Sequence, residues 1–264
     1  MLYRAKNSMI RSVIFDLGGT LIDYFGSAAD WRSFEERGIA ALYPLLVERG
    51  FALPKSEFSE AIWNAVNQGW QEAMAGRANA RLPELLGASL ASFGLTLDEE
   101  ALMQAARVYA AGVSGEIVPL DGAAQVLCEL KRRGLRLGLL SNTTWPADFH
   151  LRDMRQCGLP EVFDVAVFSS ETGLWKPNAS AFHAVTNQLN VSPGEAVFVG
   201  DQLHIDVLGA QRAGLRAVWI SADGSKPGNV QPDAVIHRLA ELPGVLDRLA
   251  SNDRSLLRVN HADN

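Results

Sequence analysis

Asp16, Asp201 and Asp206 are carboxylates that stand at, or just after, the end of a short apolar run. Asp16 closes "VIFD"; Asp201 closes "AVFVGD", and Asp206 follows in "QLHID". Two further runs end in groups of complementary chemistry. Ser141 and Asn142 close "LRLGLLSN", and Lys176 lies beyond "VFDVAVFSS" in the stretch "ETGLWKP". Carboxylate oxygens suit a hard cation such as Mg²⁺, while an ammonium and backbone N–H groups neutralise phosphate oxygens. A carboxylate can also attack phosphorus and form an aspartyl-phosphate. Brought together, these residues would make a site for Mg²⁺ and a phosphoryl group.

Elements that can bring them together are legible in the pattern around them. Residues 12–16 read as a buried strand ended by a glycine turn. From residue 29 to 112, "WRSFEERGIAALYPLLVERG", "SEFSEAIWNAVNQGWQEAMAG", "RLPELLGASLASFG" and "TLDEEALMQAARVYAAGV" space apolar residues by three and four, which predicts helices. After Gly115 strands and helices alternate: helix at 122–134, strand at 135–142, helix near 147–157, strand at 162–170, helix at 179–190 and strand at 196–201. A helix at 206–214, strands at 216–221 and 233–237 and a helix at 239–250 complete the series. Alternation of this kind argues for right-handed βαβ units and a parallel sheet with helices on both faces. The helical block is then an insertion after the first strand, a lid over the sheet. In such sheets ligands bind outside the carboxyl ends of the strands, where the candidate residues stand.

The 264 residues, 48% apolar and 20% charged, describe an ordinary globular protein with a sizeable core. A net charge of −6 and a pI near 5.4 supply no basic field for nucleic acid and leave a small charged substrate, held by a few local groups, open. Cys128 and Cys157 have no cysteine or histidine at metal-ligand spacing and read as reduced thiols of a cytoplasmic protein. The basic start "MLYRAKNSMIRS", in which Met9 is an alternative start, meets an apolar run that Asp16 breaks at once, so neither a signal-peptide core nor a membrane span is expected. The polar stretch from Ser251 reads as a frayed tail.

Four motifs in order, "VIFDLGGTL", "LGLLSN", "ETGLWKP" and "VFVGDQLHID", resemble those of the haloacid dehalogenase (HAD) superfamily, in the subgroup with a helical cap between the first and second motifs. The resemblance covers roughly residues 10–249. It implies a Rossmann-like α/β core at 10–24 and 115–249, an α-helical cap at 25–114 and a polar tail at 250–264. It also implies a Mg²⁺-dependent hydrolase of phosphatase type, acting on a small phosphorylated metabolite. Asp16 would be the nucleophile, Ser141 would bind phosphate, and Lys176 would bridge phosphate and nucleophile. Asp16, Asp201 and the Gly18 carbonyl would hold Mg²⁺, with Asp206 in support. Gly18, Gly19, Thr20 and Asn142 would shape the substrate pocket.

Gly18 departs from the family pattern, which usually carries a second aspartate there to protonate the leaving oxygen and activate water. Glycine keeps the carbonyl but cannot carry a proton. Three readings follow: a substrate whose leaving group needs little protonation, such as an acyl, aryl or anomeric phosphate; an acid borrowed from Asp23, Tyr24 or Glu116 near the cap hinge; or a catalytically weak protein that binds a phosphorylated ligand. Dehalogenases of the superfamily also lack the second aspartate, but they lack the Gly200-Asp201 pair as well, which argues against dehalogenation. A phosphonate hydrolase would use a cap lysine, and Lys55 in "FALPKSEFSE" reads as a solvated surface residue.

Each candidate has a plainer structural role open to it. Asp16 could cap a turn, Ser141 and Asn142 could start a loop, and Asp206 could cap a helix. His204 reads as a surface histidine. Trp145 and Trp175 flank the second and third motifs and could line an apolar pocket, although tryptophans usually pack under loops; Trp31, Trp63 and Trp70 read as cap packing.

Overall fold

The computed structural model describes residues 9–51 and 53–259. The chain opens with β1 (Ser12–Phe15) and the short β2 (Ile22–Asp23), then makes helices α1 (Trp31–Glu48), α2 (Lys55–Met74), α3 (Leu82–Ala91) and α4 (Glu99–Val113). It returns through β3 (Val118–Pro119) and alternates: α5 (Ala123–Arg132), β4 (Arg136–Ser141), α6 (Ala147–Gln156), β5 (Val165–Phe168), α7 (Ser169–Thr172), α8 (Ala179–Gln188) and β6 (Ala196–Gly200). A π-helical turn at Leu203–Val207 leads into α9 (Leu208–Arg212), followed by β7 (Arg216–Ile220), β8 (Ala234–Ile236) and α10 (Leu242–Val259). Among the described residues no helix is long and apolar enough to cross a membrane.

The main sheet is Rossmann-like, with the order β5-β4-β1-β6-β7-β8 and parallel pairing throughout. β1 is central because all four of its residues are buried and both faces must be covered. Val13 and Phe15 point into one apolar cluster with Leu137, Val197 and Leu127, while Ile14 points into the other with Phe198, Phe182 and Val185. The register sets Val13 beside Leu137 and Val197, so the three central strands end level. Chemistry attached to those ends therefore shares one edge.

β2 and β3 pair antiparallel, Ile22 opposite Pro119 and Asp23 opposite Val118. Both crossings between the sheet and the block α1–α4 thus run side by side in one ribbon. The cluster under Phe15 continues into the block through Phe34, Leu42, Phe58 and Leu86. Asp30 caps α1 by accepting from Ser33 N–H, and Asp98 caps α4 by accepting from Ala101 N–H.

Three local expectations change. The strand expected through Ser170 ends at Phe168, because the Ser169 and Ser170 hydroxyls donate to the carbonyls of Thr143 and Trp145 and turn the chain into α7. Asp206 lies in a π-helical turn, not at a helix start, and its carboxylate accepts from Gln202 N–H. The stretch from Ser251, expected as a frayed tail, continues α10 to Val259; it holds no glycine or proline to stop a helix. Residues 260–264 of that tail, and residues 1–8 of the basic start, lie outside the described residues.

Candidate active site

The turn after β1 carries Asp16 at the level where its neighbours end. Asp16 N–H donates to Val199 O at 2.9 Å, tying the residue to β6, and the amides of Leu21 and Ile22 close the loop onto Leu17 O. Thr20 is fully buried inside that loop, with its hydroxyl 3.4 Å from Asp16 Oδ2. Gly19 sits at φ 76°, in the left-handed region, and a Cβ there would stand 2.5 Å from Asp201 Oδ2. Only glycine satisfies both the turn and the approach of Asp201.

Lys176 Nζ donates to Asp16 Oδ1 at 2.5 Å and to Asp206 Oδ1 at 2.8 Å. Asn142 sets the lysine backbone in place: its Oδ1 accepts from Lys176 N–H and its Nδ2 donates to Lys176 O, both at 2.9 Å. Asp206 is fully buried, and a Cβ at Gly200 would run into its carboxylate. Trp219 Nε1 donates to Asp201 O at 2.7 Å and anchors the neighbouring turn. One carboxylate oxygen each from Asp16, Asp201 and Asp206 lies within 4.8 Å of the others.

Burial works against the Lys176 charge, but Asp16 and Asp206 outweigh it and hold its pKa above the usual lysine value. Burial lifts Asp16 to about 6, with Lys176 pulling it down and Asp206 pushing it up. Asp201 is lifted to about 8 by burial and then by the charges of Asp16 and Asp206. Its Oδ1 is buried and meets no hydrogen-bond donor among the described residues. Three close carboxylates facing one ammonium leave negative charge uncompensated, and an oxygen-only donor set suits a hard divalent cation. The residues present fit such an ion.

Asp16, Lys176 and Asp201 form the floor of a cavity of about 240 Å³ that Ser141, Trp31 and Glu35 of α1 and Trp70 of α2 also line; Asp206 is not on the lining but holds Lys176. Gly18 lines the cavity too. Its φ lies outside the left-handed region, and a Cβ there would meet only the Tyr24 ring, at 3.5 Å. The turn does not impose glycine at this position.

A family model for haloacid dehalogenase-like hydrolases matches residues 10–214, a span that contains every residue of the cavity floor. The chain belongs to this family. The N-acylneuraminate-9-phosphatase of Homo sapiens is 28% identical over 92% of this chain and 96% of its own. The glyceraldehyde 3-phosphate phosphatase of Methanopyrus kandleri is 28% identical over 92% of this chain and all (100%) of its own. Among solved structures, the 2-haloacid dehalogenase of Pseudomonas syringae pv. Tomato superposes with a TM-score of 0.67 at 27% identity, covering 91% of this chain and 100% of that one.

Within this HAD-like hydrolase the structure brings Asp16, Lys176, Asp201 and Asp206 together, with Gly18, Gly19, Ser141 and Asn142 on the cavity. Gly19 and Asn142 line the cavity and also hold its frame. Gly19 gives its N–H to Ile22 O at 2.8 Å, so its contribution is the turn; Asn142 spends its amide on the Lys176 backbone and on Met74 Sδ. Thr20 lies behind Asp16 and away from the cavity lining. Of the three candidate acids, Asp23 and Tyr24 line the cavity and Glu116 does not. Asp23 Oδ1 accepts from the amides of Phe25 and Gly26, and the exposed Glu116 accepts from Ser27 and Arg37. Tyr24 Oη lies 3.0 Å from His150 Nδ1, and burial with the nearby charges of Asp153 and Asp16 pushes its pKa well above 10, which makes it a reluctant acid. Lys55 and His204 are exposed and off the cavity lining, with Lys55 Nζ over the Tyr43 ring.

Four features escape the sequence reading. Glu35 is 2% exposed yet lines the cavity, and burial raises its pKa to about 7 against the opposing hydrogen bond from Tyr109. His150 is buried between Tyr24 and Thr143 Oγ1, and burial lowers its pKa to about 3, so it is neutral. Trp31 and Trp70, expected as packing, line the cavity as Trp145 does; Trp175 lies behind, edge-on to Trp70. Glu35 follows Trp31 by one helical turn, so an acid on the apolar face of "WRSFEERG" was the available signal.

Proposed function

We propose that this hydrolase is a Mg²⁺-dependent phosphatase that acts on a small phosphorylated metabolite through an aspartyl-phosphate on Asp16. The observation that carries the reading is the buried Lys176 ammonium held between Asp16 and Asp206 at the floor of a cavity, beside an Asp201 oxygen that meets no donor among the described residues. The phosphatases of Homo sapiens and Methanopyrus kandleri, each matched along nearly their whole length, support it.

In the proposed reaction Ser141 and Lys176 bind the non-bridging phosphate oxygens and set phosphorus against Asp16. Lys176 and Thr20 keep the carboxylate aimed. A bond forms from an Asp16 oxygen to phosphorus while the bond from phosphorus to the leaving oxygen breaks. The electron pair stays on that oxygen, which takes its proton from water. A second water then attacks the phosphorus, releasing inorganic phosphate and restoring Asp16. Asp16, Asp201 and the Gly18 carbonyl, with Asp206 alongside, would hold Mg²⁺, which supplies positive charge to the phosphate oxygens when bound.

The test is phosphate release from 4-nitrophenyl phosphate by the purified protein, with Mg²⁺ and with a chelator, alongside chloride release from 2-chloropropionate. Mg²⁺-dependent phosphate release that Asp16→Asn abolishes is expected, without chloride release. Turnover near the parent rate in Asp16→Asn overturns the covalent mechanism. Gly18 favours one other reading, a weak catalyst that binds a phosphorylated ligand; binding without turnover of any phosphate ester would establish it.

A further inference from the structure

The cap side of the cavity is a wall of rings with one acid set into it. Trp31 stacks on Phe34 at 5.2 Å and meets Trp70 at 5.3 Å, and Phe34 lies 6.4 Å from Trp145 with planes 10° apart. The series joins α1 and α2 of the cap to the turn after β4. Glu35 stands among these rings, and its Oε2 accepts from Tyr109 Oη at 2.5 Å. Among the described residues its Oε1 meets no hydrogen-bond donor. Among the described residues lining the cavity Lys176 is the only lysine or arginine, and Asp16 and Asp206 already hold it. A carboxylate on the leaving group would find no cation on this wall and would face Glu35.

The floor points the same way. Nothing at Gly18 can protonate the leaving oxygen, although the backbone there would accept a side chain. A phenol, with a pKa of about 10, departs without that help far more readily than an alcohol. Resting on the phosphatase reading above, we infer that the cavity takes an aryl phosphate: a phosphomonoester whose leaving group is a flat aromatic ring that offers a hydroxyl or amine hydrogen to Glu35 and carries no carboxylate.

The probes are 4-(hydroxymethyl)phenyl, phenyl and 4-(carboxymethyl)phenyl phosphate, whose methylene spacers keep the leaving groups electronically similar, with glycerol 3-phosphate as the alkyl case. At pH 8, where Glu35 is ionised, the parent is expected to favour the hydroxymethyl probe over the carboxymethyl probe by about tenfold or more in kcat/KM, the scale of one hydrogen bond to a charged group. Glycerol 3-phosphate should be slowest. Glu35→Gln should shrink the hydroxymethyl-to-carboxymethyl ratio about tenfold. Equal rates for those two probes in the parent, an unchanged ratio in Glu35→Gln, or glycerol 3-phosphate matching phenyl phosphate would each overturn the inference. If Glu35→Gln does not fold, the parent ratios decide. The matching arylmethyl phosphonates, bound to Asp16→Asn and read by tryptophan fluorescence, separate the two claims. The same order of affinity without turnover in the parent would retain the ligand class and reject the phosphatase; turnover with the opposite order would do the reverse.

Discussion

At the scale of the residue, Gly18 and Gly19 are adjacent glycines present for different reasons. Gly19 is required twice, by its left-handed φ and by the Asp201 carboxylate beside it. Gly18 is required by neither, so a side chain there is a matter of chemistry. Installing the family's usual carboxylate as Gly18→Asp should therefore leave the fold intact and change only how the protein treats poor leaving groups. In the parent, single-turnover rates across a series of aryl and alkyl phosphates should fall steeply as the leaving group becomes more basic. Gly18→Asp should flatten that slope and raise alkyl phosphate turnover by about 10²-fold or more, the lower end of what a positioned general acid contributes. A shallow slope in the parent, with no gain in the variant, would show that another group already supplies the proton, and Glu35 on the cavity wall would be the one to substitute next.

At the scale of the element, α1 and α4 meet closely because a Cβ at Gly38 would collide with the Tyr109 ring, and this contact brings the tyrosine hydroxyl to Glu35. The pair buries a carboxyl group that has one hydrogen bond and no cation. Its pKa is raised from 4.5 to about 7, with burial the first cause and the Tyr109 bond opposing it. Below pH 4.5 the folded and unfolded chains both hold the proton and the group has no effect. Between pH 4.5 and 7 only the folded chain holds it, so stability falls as pH rises, and above 7 the penalty is complete at roughly 3 kcal/mol. Glu35→Gln should remove that dependence. Urea unfolding of parent and variant should show the variant gaining relative to the parent from pH 5 to pH 8, because titrations elsewhere cancel in the difference. A difference that stays constant across that range would mean that Glu35 is not titrating in a buried site.

At the scale of the whole molecule, the sheet was legible because strands buried on both faces read as unbroken apolar runs, and "VIFD", "LGLLSN" and "AVFVGD" carry their chemistry at the ends of such runs. The β2–β3 ribbon and the cavity wall were not. Pairing of Asp23 with Val118, or stacking of Phe34 on Trp145, joins residues far apart in the chain, and no local periodicity records it. The same long-range contacts decide how the protein should respond to metal. All the residues proposed to hold Mg²⁺ lie outside the α1–α4 block, yet one apolar cluster runs from Phe15 and Val197 under the sheet to Phe34 and Leu86 in that block, so both parts should melt together. Cation binding is then expected to move a single transition. At a Mg²⁺ concentration of 100 times its Kd, mass action adds about 2.7 kcal/mol, or about 5–10 °C in Tm for a chain of this size. Asp201→Asn should raise the Tm measured in chelator, because it removes one of three mutually repelling carboxylates, and should lose most of the Mg²⁺ shift. Differential scanning calorimetry of both proteins, with and without Mg²⁺, reads all of these effects. A full shift retained in Asp201→Asn would place the cation elsewhere, and two transitions of which only one moves would show that the α1–α4 block and the sheet do not share a cooperative unit.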